Sequence, residues 1–340
     1  GHRWATVTAD DRSGILYIVT FLSFTYSSIT FITRCFIKWR VFGADDAAAL
    51  VAQIASLVQF SLLLLSLSAG LAKNFELLSK DEYARMASLQ FGNQIALYIA
   101  LGLSKAATIL LIQRLFTNDM RKAWVVCNVV IGTVLVWTVL AALLVSSGCS
   151  PESLAPQQPS QTCPSIVVRY TLVVVSDAVT DIMLVVVPSY LCWQLQMSLT
   201  LKLQVAAVFA FRLPLIALAG LFLKTWERSL TVDNPGTHRT PAIIYQQAQL
   251  CVSLIAATIP CLKSFIKSFD TGSGVKAAFG SSYEYSSTDR AGSHARREGE
   301  SYQLSSLTKS KDDTSRSTTR ARLKAEDGEI RLDPRPFTSA

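Results

Sequence analysis

Seven long apolar runs, separated by shorter polar stretches, follow one another along the chain as far as about residue 269. Each run is about long enough to cross the hydrocarbon core of a bilayer as one helix, which takes roughly 20 apolar residues. The predicted spans are about 14–37, 47–71, 91–116, 123–145, 166–194, 198–222 and 241–266. The pattern therefore predicts an all-α membrane protein built as a seven-transmembrane helix bundle.

The stretches outside these spans are polar. We expect residues 1–13 to form an extracellular N-terminal segment and residues 14–269 to form the transmembrane domain. Residues 270–340 are rich in Ser, Thr, Gly, Arg and acidic residues and poor in aliphatic ones, which predicts a disordered cytoplasmic tail. In that tail, Ser293 and Thr319 each lie three residues after an arginine, a spacing typical of basophilic kinase substrates. They are candidate phosphorylation sites.

The overall composition supports a membrane protein and excludes several other classes. Hydrophobic residues make up 50% of the 340 residues and charged residues 16%, against about 25% charged residues in soluble domains. The net charge is +8, but the chain lacks the dense basic patch with interleaved aromatic residues that indicates nucleic-acid binding. The seven cysteines show no Cys-x-x-Cys or Cys/His spacing typical of a metal site. We therefore expect the lipid bilayer as a partner, and neither a metal nor a nucleic acid.

Two acidic residues lie near the middle of the fifth span. Asp177 and Asp181 are four residues apart, which places them on the same face of a helix. A charged side chain at the centre of a bilayer costs about 2.5–3.5 kcal/mol on insertion scales. Both carboxylates are therefore expected to face the interior of the bundle and to find partners there.

Two basic residues can supply those partners. Lys105 lies near the centre of the third span and Arg212 lies at mid-depth in the sixth, so two positive charges balance the two negative ones. Ionisable residues inside membranes usually face the bundle interior and pair with one another. We expect a buried cluster that joins spans three, five and six, with Gln246 and Gln249 of the seventh span at its edge. Two interpretations stay open: a structural clamp, and the lining of a ligand or proton pocket.

Local signals predict further features of the helices. Asp45 and Asp46 precede the second span and suit the N-cap and first turn of its helix, where the helix dipole favours negative charge. Pro188 and Pro260 lie inside the fifth and seventh spans. A proline inside a helix removes a backbone donor, so a kink is expected at each of these positions.

The polar loop between the fourth and fifth spans contains Cys149, Cys163 and several Pro, Ser and Gln residues, but no Lys or Arg. Two cysteines that bracket such a loop indicate a disulfide, with two free thiols as the alternative. A disulfide needs an oxidising compartment, which places the loop on the extracellular or lumenal side. With seven spans, the N-terminus is then expected outside and the tail in the cytoplasm. The protein itself is expected in the plasma membrane or an endomembrane. The distribution of Lys and Arg adds only weak support.

A bound retinal is not expected. The Schiff base of a retinal protein needs a lysine midway along the seventh span, and the first lysine of that span, Lys263, lies at its inner end after Pro260. Signatures of the large animal receptor class are absent as well. Gln113-Arg114-Leu115 stands where Asp-Arg-Tyr would follow span three, and no Asn-Pro-x-x-Tyr ends span seven. No cofactor is therefore predicted.

Several short motifs, taken in order, resemble those of one family. They are Asp45-Asp46 before the second span, Lys105 with Leu110-Leu111-x-x-Arg114-Leu115-Phe116 on the third, Cys149-x-Pro151 with Cys163 in the loop, Asp177-x-x-x-Asp181 with Pro188 and Trp193-Gln194-Leu195-Gln196-Met197 on the fifth, and Gln249-Leu250-Cys251 with Ala256-Ala257-x-x-Pro260 on the seventh. Over roughly residues 9–268 the chain resembles the fungal rhodopsin-domain integral membrane proteins. That family includes the satratoxin-cluster membrane protein and receptor-like proteins that sense host surfaces.

The resemblance implies a seven-helix protein without retinal, and it implies little about activity. Some members look like receptors coupled to G proteins, and others lie in secondary-metabolite clusters. The first hypothesis is a receptor-like sensor of an unknown small molecule, with a G protein or a kinase as partner of the tail.

The alternative is an accessory membrane protein or intramembrane enzyme of a fungal secondary-metabolite pathway, for instance a cyclase. Asp177 and Asp181 would then be the candidate acids, because carboxylic acids in apolar pockets can serve as general acids. An enzyme is the less favoured hypothesis, and no residue is assigned as catalytic. A transporter is disfavoured because no internal repeat is visible in the sequence.

Overall fold

The structure is a computed structural model that describes residues 10–39, 42–116, 121–154, 165–194, 199–232 and 235–272, together with the single positions 8, 156 and 163. The described residues form α-helices and one short 3-10 helix, Phe75–Leu77, and they contain no strand. In chain order the helices are α1 (Ser13–Ile37), α2 (Ala44–Ser68), α3 (Lys80–Phe116), α4 (Arg121–Ser146), α5 (Pro151–Leu154), α6 (Ile166–Gln194), α7 (Leu199–Ala210), α8 (Leu213–Ser229), α9 (Pro235–His238) and α10 (Thr240–Gly272).

Seven helical segments of the described chain are long and apolar enough to cross a membrane. Helices α1, α2, α3, α4, α6 and α10 provide one span each, and α7 and α8 together provide the sixth span in chain order. The predicted all-α bundle of seven membrane-spanning helices is confirmed. The protein is therefore a multi-pass membrane protein.

Helix α3 is the central helix of the bundle. In its most apolar window of 18 residues 78% of the positions are buried, against 17% in α1, and α3 packs against α2, α4, α5, α6 and α10. Gly102 lets α4 approach closely, because a Cβ atom at this position would overlap the side chain of Thr138. The outer helices instead expose large apolar side chains such as Ile18 and Phe36, as expected for a surface in contact with lipid.

Helix α3 begins earlier than the start at about residue 91 that the apolar pattern predicted. Residues 80–90 form its first three turns, preceded by a capping box. The Ser79 hydroxyl accepts a hydrogen bond from the Glu82 N–H at 3.3 Å, and Glu82 Oε2 accepts one from the Ser79 N–H at 3.1 Å. These bonds satisfy backbone donors at the helix start, so a polar segment extends the helix beyond its apolar part.

The sixth span is broken near its middle, whereas the apolar pattern predicted one continuous helix. Helix α7 ends at Ala210 and α8 begins at Leu213. Around Arg212 the backbone forms turns in which each N–H donates three residues back, from Arg212 to Phe209 and from Leu215 to Arg212. Pro214 lies in the first turn of α8, a position that suits proline because its missing N–H and fixed φ fit the start of a new helix.

Cys149 and Cys163 form a disulfide, with their Cα atoms 5.6 Å apart, so the predicted disulfide is confirmed. We call the end of the bundle that carries it the disulfide end; α4 ends there, α6 begins there, and the short helix α5 lies within the bridged loop.

The two prolines predicted to kink helices, Pro188 and Pro260, lie within continuous helices, α6 and α10, and the kinks stay predictions. Helix α10 continues to Gly272, three residues past the predicted domain boundary at residue 269. The remainder of the predicted tail, including Ser293 and Thr319, lies outside the described residues.

Candidate functional site

Lys105 projects from α3 towards the two acidic residues of α6. Its Nζ is 2.6 Å from Asp177 Oδ1 and 3.1 Å from Asp181 Oδ1. It also donates to the Thr180 hydroxyl at 2.8 Å and to the backbone carbonyl of Asp177 at 3.0 Å. The ammonium group lies over the ring of Trp137 on α4, 4.6 Å from its centroid, which adds a cation–π contact. One lysine thus connects α3 with both α6 and α4.

Arg212 reaches the same acidic pair from the break between α7 and α8. Its Nη1 donates to Asp181 Oδ1 at 3.3 Å, and its Nη2 donates to the Thr108 hydroxyl of α3 at 2.5 Å. Lys105, Asp181 and Arg212 are each 1% exposed and Asp177 is 2% exposed. We call these four residues the central cluster. It holds two positive and two negative charges and has no formal net charge.

Helix α10 contributes polar contacts to the central cluster. Gln249 Nε2 donates to Asp177 Oδ2 at 2.8 Å. The hydroxyl groups of Ser104 on α3 and Ser253 on α10 lie 2.9 Å apart, and the Ser104 hydroxyl also donates to the Ser253 carbonyl at 2.9 Å. The central cluster and these neighbours therefore hold α3, α6, α8 and α10 together inside the bundle.

Two polar atoms of the central cluster, Asp181 Oδ2 and Arg212 Nε, have no hydrogen-bond partner among the described residues. Buried polar atoms are normally paired with protein or ordered water, so these two atoms depart from the usual pattern. The ion pairs favour a structural clamp, and the two unpaired atoms favour a polar pocket. Both interpretations of the cluster therefore stay predictions.

Gln246, expected at the edge of the cluster, has its hydrogen bonds elsewhere. Its side-chain amide exchanges two hydrogen bonds with Gln94 of α3, at 2.9 and 3.0 Å. It also lines a cavity at the disulfide end of the bundle. Because Gln249 lies one turn further along α10, Gln246 connects that cavity with the central cluster.

A second group of buried charges lies at the end of the bundle opposite the disulfide, and the sequence pattern did not predict it. Arg34 of α1 binds Asp45 at 2.7 Å and Asp46 at 2.9 Å. Lys38 also pairs with both carboxylates, and Arg114 Nη1 is 2.9 Å from Asp45 Oδ1. Arg34 and Asp45 are almost fully buried, whereas the side chains of Lys38 and Arg114 are 16% and 37% exposed. We call these five residues the opposite-end cluster.

The two acidic residues of the opposite-end cluster lie in the first turn of α2, as predicted, but the N-cap position itself is Gly43. Asp46 Oδ2 accepts a hydrogen bond from the Gly43 N–H at 3.1 Å. One signal was available in the sequence: Arg34 and Lys38 are four residues apart, so one face of α1 carries two cations just before an acidic pair. Arg34 Nη1 also donates to the Ala257 carbonyl at 2.8 Å, which connects this cluster with α10.

Arg239, just before α10, is a third buried charge and was not predicted to be functional. It is 3% exposed, and its Nη1 donates to the carbonyl of Leu154 in α5 at 2.7 Å. Its Nε and Nη2 have no hydrogen-bond partner among the described residues. With Gln94 and Gln246 it lines what we call the disulfide-end cavity. The sequence signal was weak, because a single arginine at the polar start of a span is common.

Fold and charged interior together define a polytopic α-helical membrane protein whose spans are joined by buried ion pairs. In the part of the chain that the structure describes, no group of three or more His, Cys, Asp or Glu side chains could hold a metal ion. The family model of the fungal rhodopsin domain matches residues 29–268, and the chain belongs to that family, as the motifs predicted. Neither the curated proteins nor the solved structures include a match to the chain.

Proposed function

We propose that the protein is a receptor-like member of the fungal rhodopsin domain family that senses a small molecule without retinal. The observation that supports this most strongly is the position of the central cluster between four spans, next to a helix that also lines a cavity. Helix α10 carries Gln246 in the disulfide-end cavity and Gln249 on Asp177, one turn apart. A ligand that displaces α10 at the cavity therefore acts on the ion pairs of the cluster.

Such a cluster is suited to a switch because ion pairs and packed helices have discrete arrangements rather than a continuous range. Allosteric coupling requires two sites and an element whose equilibrium both sites bias. In this proposal the cavity is the first site, and the face of the bundle opposite the disulfide is the second. A G protein or a kinase would act at that face and on the tail, the kinase at Ser293 or Thr319.

The proposed topology places residues 1–13 and the disulfide loop outside the cytoplasm, residues 14–269 in the membrane and the tail inside. It is tested by inserting one epitope tag either between Gln158 and Pro159 or after Ser306. If the protein lies in the plasma membrane, antibody should reach the first tag in intact cells and the second tag only after the cells are made permeable. If it lies in an endomembrane, antibody should reach the second tag on sealed vesicles and the first tag only after the vesicles are opened. The same accessibility for both tags would contradict the topology.

The receptor role is tested in a deletion strain of the source organism that carries either the wild-type chain or Gln249→Ala. This substitution removes the contact between α10 and Asp177 but leaves the ion pairs of Lys105 in place. We expect the strain with Gln249→Ala to make the protein at the wild-type level but to lose its signalling response to surface or chemical stimuli. The control is Gln53→Ala, which removes a hydrogen bond to Ser28 between α2 and α1 and should leave the response unchanged.

The same strains test the alternative role in secondary metabolism. A surface-sensing receptor predicts an unchanged metabolite profile after deletion, whereas an accessory protein or cyclase, such as the satratoxin-cluster type, predicts the loss of a product. Each carboxylate of the central cluster is already bound to a cation of the chain, which suits a joint between helices better than a proton donor. A deletion strain that signals normally but lacks a metabolite would contradict the receptor proposal.

A further inference from the structure

The guanidinium group of Arg239 presents one complete edge without a partner. Nη1 is bound to the Leu154 carbonyl, and the two nitrogens with no hydrogen-bond partner among the described residues are Nε and Nη2. These two nitrogens carry parallel N–H bonds on one side of the planar group. That edge is the fork that arginine uses to bind both oxygens of a carboxylate at once.

Arg239 also lacks a charged partner, unlike the other deeply buried cations that the structure describes. Arg34, Lys105 and Arg212 each form ion pairs with aspartates, whereas Arg239 forms none with any described residue. A buried charge without a partner is costly, so buried charges are normally paired or bound to a ligand. The chain therefore keeps at this position a positive charge that a molecule from outside can neutralise.

The disulfide-end cavity next to Arg239 has mainly aromatic and amide walls. Tyr170 and Trp226 stack at a tilt with their centroids 4.4 Å apart, and Phe222 meets Tyr170 edge to face at 5.7 Å; all three line the cavity. The enclosed space of the cavity is small, about 20 Å³, which is room for about one water-sized group. A larger ligand enters only if the surrounding side chains move, so the cavity favours a small ligand.

We propose that the disulfide-end cavity is a binding site for a small monocarboxylate. Its two oxygens accept hydrogen bonds from Nε and Nη2 of Arg239, and its short apolar body lies beside Trp226 and Tyr170. One arginine supplies one positive charge, so a singly charged anion neutralises the site, whereas a doubly charged phosphate would leave a negative charge buried. The planar two-oxygen group also matches the fork better than a spherical halide does.

This inference names the class of ligand that the proposed receptor would sense. The binding of a carboxylate does not depend on the proposed function, but its role as a signal does. Gln246 and Gln94 line the same cavity and hold α10 to α3, so a carboxylate bound there lies beside the helix that contacts the central cluster. Binding itself is measured on the purified protein without any signalling partner. A failure to bind therefore contradicts this inference alone, and binding without a signalling response contradicts the proposed function alone.

The experiment measures thermal unfolding of the purified full chain in detergent, with sodium acetate, benzoate or phenylacetate added. The controls are acetamide, benzamide and phenylacetamide, which have nearly the same shape without the charge, and sodium chloride at equal ionic strength. At saturation we expect acetate to raise the unfolding midpoint by about 2–5 °C, because a ligand that binds the folded state stabilises it. The bulkier benzoate and phenylacetate should raise it less. The amides and chloride should produce no specific increase.

Four variants localise the effect. Arg239→Gln should abolish the increase and should leave the midpoint without acid unchanged or higher, because it removes an unpaired buried charge. Arg239→Lys keeps the charge but loses the fork, so its increase should be smaller. Trp226→Leu enlarges the cavity, so it should increase the effect of benzoate relative to that of acetate. The matched control is Arg169→Gln, which replaces an arginine that binds the Ser147 carbonyl at the same end of the bundle, and it should retain the full increase.

Three results would overturn the proposal. The first is an equal increase with acids and amides, which would mean that charge is not recognised. The second is an undiminished increase in Arg239→Gln, which would place the acid elsewhere. The third is a strongly lowered midpoint in Arg239→Gln together with no effect of any acid on the wild type, which would make Arg239 a structural residue.

Discussion

The central cluster and the opposite-end cluster use the same side-chain chemistry in different surroundings. In the central cluster all four charged residues are at most 2% exposed, the charges balance, and Asp181 Oδ2 has no partner among the described residues. In the opposite-end cluster three cations share two carboxylates, each carboxylate oxygen has at least one partner, and Lys38 and Arg114 remain in part exposed. When one partner of an ion pair is removed, water can therefore hydrate the remaining charge at the opposite-end cluster more easily than in the central cluster.

This comparison predicts that the largest loss of stability follows from Lys105→Met. The substitution leaves Asp177 with no cation and both carboxylates close together in a dry interior. Removing one partner of a buried ion pair lowers the free energy of unfolding by about 3–5 kcal/mol. The measurement is thermal unfolding in detergent, followed with a thiol-reactive dye that reports exposure of buried free cysteines such as Cys127 and Cys261.

The control for Lys105→Met is the double variant Lys105→Met/Asp177→Asn. The asparagine removes the unpaired negative charge, and its side-chain oxygen can still accept the hydrogen bond of Gln249. The double variant should therefore be more stable than Lys105→Met alone. If it is less stable, charge compensation is not what holds the central cluster together.

A smaller loss is predicted for Asp45→Asn in the opposite-end cluster. Asp45 accepts hydrogen bonds from Arg34, Lys38 and Arg114, and a hydrogen bond to a charged group makes a net contribution of about 1.5–3 kcal/mol. Water can hydrate Lys38 and Arg114 after the substitution, so we expect a total cost of about 1.5–3 kcal/mol, measured by the same dye assay. A cost equal to that of Lys105→Met would contradict the distinction between the two clusters.

The buried hydroxyl of Thr180 offers a finer test inside the central cluster. Thr180→Val has nearly the same shape but removes one acceptor of the Lys105 ammonium group. Because Lys105 keeps both carboxylates, the expected cost is about 1 kcal/mol. The matched control is Thr171→Val. In the wild type the exposed hydroxyl of Thr171 donates to the Val167 carbonyl within the same helix, so this substitution should change the unfolding midpoint little. Equal midpoints for the two variants would show that Lys105 does not depend on Thr180.

The smallest expected effect is that of salt. At 1 M NaCl the screening length is about 3 Å, which weakens the pairs of the partly exposed Arg114 but not those of Lys105. The cost should be about 0–1 kcal/mol, as for exposed ion pairs, and Arg114→Gln should remove most of it. The check is the unfolding midpoint of wild type and Arg114→Gln in low and high salt. An equal salt dependence of both proteins would mean that Arg114 contributes nothing measurable.

Much of the fold was predictable because the bilayer acts on the sequence directly. A span requires about 20 apolar residues, so the seven runs defined seven membrane spans. The cost of Asp177 and Asp181 in lipid required partners inside the bundle. The break at Arg212 was missed, although Pro214 marks it, because an apolar run has the same composition whether or not its helix is continuous. The early start of α3 was missed because a capping box extends a helix through polar residues.

By itself, the sequence determined the number of spans, the disulfide loop, the family and the need for buried charges to be compensated. Only the tertiary structure decided how the charges pair atom by atom and which buried charges lie outside the predicted cluster. In the structure Asp181 pairs with both Lys105 and Arg212, and the opposite-end cluster combines residues of three helices. Arg239 lines a cavity and has no acidic neighbour among the described residues. The physical reason is that the cost of placing a charge in the membrane can be estimated from the composition of a single helix. Which charges form an ion pair depends on how helices distant in sequence are rotated relative to each other.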